Sequence, residues 1–296
     1  MNKTKKYFFS FIFYFQFLYG WDTFSIAAVD LETLEIGSAG ASCISGSIII
    51  SDVLPGIGVI HTQSYWNNTN QINAHELMIQ GYSPEYIINW LENNDAQNNS
   101  SIRQYGIVDL NDNGRSASFS GENCYDYKGH INGTYYAIQG NILLGPEILY
   151  DMEEKFINSV GPLSDRLMEA LQGAKYIGAD TRCFEYNTSS LSSFLRVAKP
   201  HDHIDSLFIN FNINNLFNGI DPIDSLQNLY NDWISHLPSG DINHDEITDL
   251  LDIIFLINIM LNHQNPTLSQ IFSADIDQSG IIDITDLVII SAIILS

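Results

Sequence analysis

Thr23-Phe24-Ser25-Ile26-Ala27-Ala28-Val29-Asp30, and then Glu35-Ile36-Gly37-Ser38-Ala39-Gly40-Ala41-Ser42-Cys43, read as two consecutive strands rich in small and apolar residues. Outward from this pair, Gly56 to Gln63 reads as another short strand. Asn70 to Gly81 and Ser83 to Asn93 read as helices, the second capped by Ser83 with Pro84 at its first position. Arg103 to Leu110 and Arg115 to Ser120 form a predicted hairpin closed by Asn111-Asp112-Asn113-Gly114. Tyr135 to Ile138 is a strand entering Gln139-Gly140-Asn141, and Pro146 to Asn158 and Ser164 to Tyr176 are amphipathic helices. Ser192 to Val197 and Leu207 to Ile213 are late strands, and Asp221 to Trp233 is a helix with Pro222 at its start. Strands and helices alternate in blocks, which points to an α+β fold with helices covering sheets.

The chain has 296 residues, enough for one large domain and a small one. Acids outnumber bases 35 to 12, a formal net charge of −23, and no Lys or Arg occurs from Pro200 onward. Such a surface repels phosphate backbones, so nucleic acid is excluded as an expected partner. Lys3, Lys5 and Lys6 precede the apolar, aromatic run Tyr7 to Leu18, which reads as a secretory signal over residues 1–20 with cleavage after Gly20. The expected protein is therefore secreted or cell-surface, with no membrane segment once the signal is removed. Three cysteines follow, Cys43, Cys124 and Cys183, and Cys124–Cys183 is the expected disulfide. His201-Asp202-His203 lacks an evident third ligand and reads as loop.

Near the C-terminus, Asp241, Asn243, Asp245, Asp249 and Asp252 are answered by Asp275, Asp277, Ser279, Asp283 and Asp286. These occupy positions 1, 3, 5, 9 and 12 of a twelve-residue calcium loop written twice, with Ile247 and Ile281 at the position that gives a backbone carbonyl. Oxygens at alternate positions wrap a hard cation, so up to two structural Ca2+ ions are expected here. Gly280 stands at position 6 of the second loop, where the chain turns left-handed; the first loop has Glu246, at a cost of roughly 1–2 kcal/mol. Tandem loops with Asp at position 12, each followed by one apolar helical run, resemble the type I dockerin module over about residues 240–296. The resemblance implies a small all-α domain (residues 238–296, after the boundary Pro238-Ser239-Gly240) that docks onto a cohesin-like domain or cell-surface scaffold. Positions 10 and 11, which often meet the partner in dockerins, are Leu250 and Leu251, then Ile284 and Thr285.

The first domain, residues 21–237, carries a second resemblance. Thr23 to Asp30, Ile36 to Ser42, His61-Thr62-Gln63, Asn70-Gln71, Arg103-Gln104, Asp109, Gln139-Gly140-Asn141-Ile142-Leu143 and Gly178-Ala179-Asp180-Thr181-Arg182 together resemble a bacterial family of unknown function grouped with the N-terminal-nucleophile (Ntn) hydrolases. Val197-Ala198-Lys199-Pro200 and the cysteines are similar to its exported branch. The resemblance implies a four-layer αββα sandwich and cleavage of an amide bond. Thr23 matches the nucleophile, whose own α-amine would act as base without any catalytic cofactor. Cleavage after Gly20 leaves Trp21-Asp22 ahead of it, so its amine requires a further cut. Asn141 is the candidate oxyanion donor, or a turn asparagine. Asp180 and Arg182 would orient the amine or grip a substrate carboxylate, or form a structural ion pair. Ser42 would hydrogen-bond the amine, or is a buried strand serine. The alternative to a hydrolase is a non-catalytic secreted binding or surface protein that keeps the fold. Homo-oligomerisation is left open.

Overall fold

The computed structural model of the chain describes residues 24–214, 219–235, 240–277, 279 and 281–296. The predicted signal, Thr23, Gly280 and the junction residues Pro238 and Ser239 lie outside them. The fold is mixed α/β, with two antiparallel sheets and several helices. The strands are β1 (Phe24–Val29), β2 (Ile36–Ser42), β3 (Ser51–Leu54), β4 (Gly58–Ser64), β5 (Arg103–Asp109), β6 (Arg115–Ser120), β7 (Gly129–Asn132), β8 (Tyr136–Gly140), β9 (Ser192–Ala198) and β10 (Ile209–Ile213). One sheet has the order β10-β9-β2-β1-β8-β7 and the other β3-β4-β5-β6.

Strand periodicity sorts the core into separate clusters. Phe24, Ile26 and Ala28 of β1, with Tyr136 and Ile138 of β8 and Leu195 and Val197 of β9, face three helices. These are α3 (Glu147–Asn158), α4 (Leu163–Gly173) and α5 (Pro222–Ile234). Ile60 of β4 and Tyr105 and Ile107 of β5 face α1 (Asn68–Ile79) and α2 (Pro84–Asn93). The residues between, on the opposite faces of the same strands, meet one another: Ala27, Val29, Ile36 and Ala137 from one sheet, Val59 and Val108 from the other. Both faces of these strands are therefore buried, and side-chain alternation separates two cores rather than core from solvent.

Local chemistry explains the element ends. Ser83 accepts from Tyr86 N–H at 3.2 Å ahead of Pro84, and Asp221 accepts from Ile223 N–H at 2.9 Å ahead of Pro222. The β5–β6 hairpin turns through Asp112, Asn113 and Gly114, all at positive φ, and Arg115 pairs with the buried Asp109 at 2.6 Å. Two short strands and a helix are absent from the sequence reading. β3 and β7 lie at sheet edges, where little alternation is needed for pairing. The helix, α7 (Leu268–Ala274), sits between α6 (Leu250–Met260) and α8 (Ile284–Leu295) and is announced only by its Thr267/Gln270 capping box.

The disulfide expected between Cys124 and Cys183 is instead Cys43–Cys183, with Cα atoms 5.5 Å apart. The end of β2 is drawn to the Asp180 segment, whose carboxylate accepts the Cys43 N–H at 2.9 Å. Cys124 is buried elsewhere, its Sγ donating to the Arg103 carbonyl at 3.3 Å. Linear order did not reveal which strand ends adjoin.

Gly106, in β5, lies directly under the Gln139 carboxamide of β8, so an added Cβ would overlap the amide atoms. Gly106→Ala is expected to destabilise the protein by about 1–3 kcal/mol, the usual cost of overpacking. Urea unfolding at unchanged m-value measures this; an unaltered midpoint would show that the sheets separate freely at this point.

Candidate functional site

The facing surfaces of the two sheets are apolar at one end and polar at the other. Following the same alternation along the strands gives Ser25, Ser38, His61, Gln63, Gln104, Gln139 and Asn141, all buried. Gln104 fixes their arrangement. Its Nε2 donates to the carbonyls of Gly140 (2.8 Å) and Gly129 (3.0 Å) in the other sheet, and to Ser120 Oγ (2.6 Å). Carbonyl acceptors settle which end of the amide is nitrogen, so Oε1 must face inward. It accepts from Gln63 Nε2 at 2.8 Å and Asn141 Nδ2 at 2.9 Å. Gln63 Oε1 in turn accepts the Ser25 hydroxyl proton at 2.6 Å, and Ser25 Oγ accepts from Gln139 Nε2 at 2.7 Å.

His61 continues the seam. Its Nδ1 lies 3.0 Å from both Ser25 Oγ and Gln139 Nε2, and its Nε2 lies 2.5 Å from Ser38 Oγ. Ser38 meets Ser51 at 2.7 Å, and Arg196 donates to the Ser51 carbonyl at 2.7 Å. Ser25 and His61 have the separation of a nucleophile and its base. Both are 0% exposed, however, and the Ser25 proton is committed to Gln63. Burial, reinforced by Arg196, holds His61 down at about 3, so the ring is neutral. Ser25 and His61 thus belong to the buried hydrogen-bonded seam between the sheets.

The polar end opens toward the N-terminal end of β1. Phe24 pairs with Ala41 on one side and Gly140 on the other, so the next residues along, Ser42 and Asn141, flank that end. Thr23, the expected nucleophile, lies outside the described residues. Asp180 is fully buried beside them, bridged to Leu143. Its carboxylate accepts from Cys43 N–H (2.9 Å), Arg182 Nε (2.9 Å) and Arg182 Nη2 (2.6 Å). The Arg182 Nη2 also reaches Ser42 Oγ at 3.5 Å. Ser42, Asn141, Asp180 and Arg182 thus gather at one place, although Asp180 and Arg182 are chiefly occupied with each other. Asn141 is oriented by Gln104. Its Nδ2 donates to Gln104 Oε1, and its buried Oδ1 has no hydrogen-bond partner among the described residues. Oδ1 is thus an acceptor that could take an N–H, and Nδ2 keeps a second N–H beside the bond to Gln104. Ile142, next in the chain, has φ 55°, an uncommon conformation for a β-branched residue.

Ser25, His61, Gln63, Gln104 and Gln139 were not singled out as site residues from sequence. Their signal was polar residues at alternate strand positions, which ordinarily reads as a solvent face.

In the C-terminal module the carboxylates of the second loop converge. Carboxylate atoms of Asp275, Asp277 and Asp286 lie within 4.8 Å of one another. Asp252 and Asp286, at position 12, each tie the loop to its helix, accepting from Ile242 and Asp249 N–H and from Ile276 and Asp283 N–H respectively. Asp249 and Asp283 cap α6 and α8. Burial raises Asp241 to about 6, and Asp252 and Asp245 push in the same direction. An all-oxygen donor set with crowded negative charge fits a hard divalent cation such as Ca2+. Glu246 turns left-handed, φ 70°, as position 6 requires, and so does His244 at φ 61°.

Two buried groups give opposite pH dependences. His61, below its ordinary 6.5, stabilises the fold above that value, and the contribution is lost as pH falls toward about 3. Burial raises Glu35 to about 7, against the pull of Lys199, so its contribution is present below 4.5 and lost as pH rises through 7. Between these ordinary values the slopes cancel. Glu35→Gln is expected to unmask the His61 slope, gaining about 1.4 kcal/mol per pH unit relative to the parent. Urea midpoints of both proteins from pH 4.5 to 6.5, at fixed calcium, test it; parallel curves would refute it.

The profile of a family described as "Family of unknown function (DUF1028)" matches residues 23–216. That of the dockerin type I domain matches residues 239–295. Among solved structures the chain is similar to protein SPO2555 from Silicibacter pomeroyi, a DUF1028 protein. That likeness has 24% identity and a TM-score of 0.59, covers 77% of this chain and 100% of the other, and concerns the fold alone. Anbu (ancestral β-subunit) from Yersinia bercovieri overlaps at 13% identity and a TM-score of 0.34, over 73% of this chain and 99% of that one, too loosely to bear on the fold. No curated protein matches. Dockerin domains bind calcium and the cohesin domains of scaffold proteins. The chain belongs to the DUF1028 family, of unknown function, and ends in a dockerin type I domain.

Proposed function

We propose that the protein is an exported hydrolase of the N-terminal-nucleophile type that cuts an amide bond and is held on a cohesin-bearing scaffold by its C-terminal module. The observation that carries the reading is the strand register that sets Ser42 and Asn141 on either side of the N-terminal end of β1. Helices outside two facing sheets support an αββα sandwich over residues 21–237. In this reading Thr23, freed at its amine, attacks the amide carbonyl and passes its hydroxyl proton to the α-amine. The amine then protonates the leaving nitrogen, and water releases the acyl group. Asn141 Oδ1 accepts an N–H of that amine, Ser42 lies beside it, and the Asp180–Arg182 pair fixes the neighbouring loop. Export through residues 1–20 accords with the cell-surface setting usual for dockerin domains, and no helix among the described residues is long and apolar enough to cross a membrane. A second reading, a non-catalytic surface protein, draws on the Asp180 carboxylate, which is occupied by Arg182 and the Cys43 N–H.

The mature N-terminus decides between them. Protein sequencing of the exported chain is expected to find Thr23 first, and Thr23→Ala to abolish hydrolysis of amide substrates. A mature chain beginning at Trp21, or full activity in Thr23→Ala, would end the hydrolase reading.

Up to two Ca2+ ions are proposed for the loops of residues 238–296. The left-handed Glu246 costs roughly 1–2 kcal/mol, against at most about 1 kcal/mol from its 2.8 Å ion pair with Lys199. Glu246→Gly is therefore expected to stabilise the calcium-loaded protein by up to about 1 kcal/mol, read from urea unfolding. Chelation should lower the stability of the parent; indifference to chelator would refute calcium binding.

A further inference from the structure

The C-terminal module is seated on the first domain through contacts that form a closed ring. On one side, Asp165 of α4 is buried and accepts from Tyr230 Oη of α5 at 2.7 Å and from Ser269 Oγ of α7. Close by, Thr267 packs over Gly161, where an added Cβ would lie 2.6 Å from its methyl group. Within the module, α7 continues to the first calcium loop: Ser273 Oγ meets His244 Nε2 at 3.1 Å, and the Ser273 carbonyl accepts Gly240 N–H at 2.9 Å. From that loop the ring returns to the first domain. Lys199 Nζ donates to the His244 carbonyl at 3.2 Å, pairs with Glu246 Oε1 at 2.8 Å, and lies 4.2 Å from the Phe208 ring centroid.

His244 and Glu246 are positions 4 and 6 of the loop, and both are left-handed. They alternate with Asn243, Asp245 and Ile247, the ligand positions 3, 5 and 7. The residues that would grip calcium and those that grip the first domain are thus interleaved on one backbone, and neither set can be displaced without turning the other. The rest of the junction is open: a cavity of about 680 Å³ lies there, bordered by Glu35, Lys199, Asn243, Asp245 and Phe255. Among the described residues, polar contacts and the Thr267–Gly161 approach hold the module in place around this cavity.

We infer that calcium in the first loop and the seating of the module on the first domain are one coupled equilibrium. The inference rests on the calcium reading above. Calcium fixes the carbonyl direction at His244 and the turn at Glu246, and so presents both partners to Lys199. By linkage, a module held in its seat binds calcium in the first loop more tightly.

The test has two arms, both on the full chain. In the first, hydrogen exchange is followed with calcium and with chelator. Chelation is expected to raise exchange in residues 240–296 and also around Asp165, Tyr230 and residues 199–208. A rise confined to residues 240–296 would overturn the coupling. In the second, Ser269→Trp wedges α7 off Asp165 without changing charge near the loop, and calcium itself is titrated calorimetrically with the second loop silenced by Asp277→Ala. First-loop affinity is expected to fall at least fivefold relative to the chain carrying Asp277→Ala alone; a change under twofold would overturn the coupling while leaving the calcium reading intact. Absence of calcium affinity in the Asp277→Ala chain and in the parent would end both.

Discussion

The carboxamide of Gln104 is the constraint on which the rest of the first domain depends. Its nitrogen faces two backbone carbonyls of the opposite sheet and its oxygen faces two further amides, so it can be satisfied in only one orientation. A single hydrogen bond of this kind contributes about 1 kcal/mol net, but a buried donor left unpaired costs about 1–3 kcal/mol. A slip of one residue in either sheet would orphan several donors at once. The apolar half of the interface, built from Ala27, Val29, Val59 and Val108, would tolerate small displacements. The polar half does not, and it therefore sets how the two sheets face each other. Gly106 belongs to the same constraint, since only a residue without a side chain leaves room for Gln139.

The same seam explains why part of the site was hidden in the sequence. Helices declared themselves through Ser83-Pro84 and Asp221-Pro222, and the β5–β6 hairpin through Asn111 to Gly114. Central strands were legible from β-branched and small residues. Their inward-facing His61, Gln63 and Gln104 were not legible as a cluster, because alternate polar positions resemble a wetted face when the second sheet is unknown. Ser42, Asn141, Asp180 and Arg182 were picked out individually and prove to be neighbours, yet the polarity of Asn141 follows only from Gln104, a residue distant in sequence. The disulfide shows the same limit, since Cys43 and Cys183 are separated by 140 residues and meet only because β2 ends beside Asp180.

Charge is distributed in keeping with this division. Of the few basic residues, Arg103, Arg115, Arg166 and Arg182 are each paired with a carboxylate of the first domain: Asp95, Asp109, Asp30 and Asp180. The bases thus serve largely to neutralise structural acids, and the excess acid is left to the surface and to the calcium loops. Arg196 donates instead to the Ser51 carbonyl, and Lys199 reaches beyond the first domain. It comes just before the stretch that lacks Lys and Arg, and its partners are in the module. One lysine therefore carries a positive charge to the edge of an acidic loop, and Glu246 offsets it there. The glutamate that costs backbone strain at position 6 is in this way the side chain that pairs with this lysine.

Seating the module through α7 and the first loop also decides which of its surfaces remain outward. Leu250 and Leu251 at the start of α6 are 64% and 51% exposed, and Ile284 and Val288 of α8 are 60% and 62% exposed. These side chains lie at or just after positions 10 and 11 of the two loops, and their outward exposure is unfavourable in water unless another surface covers them. The polar residues of α7, Ser269, Gln270 and Ser273, are by contrast buried. Ser269 is buried against Asp165 of the first domain, whereas Ser273 meets His244 and Gln270 caps Thr267 within the module. The first domain thus holds α7 at Ser269, Leu251 borders the junction cavity, and Leu250, Ile284 and Val288 are left exposed. A scaffold-bound copy would then carry its first domain in a set orientation, with the ordering of the first loop determining how firmly that orientation is kept.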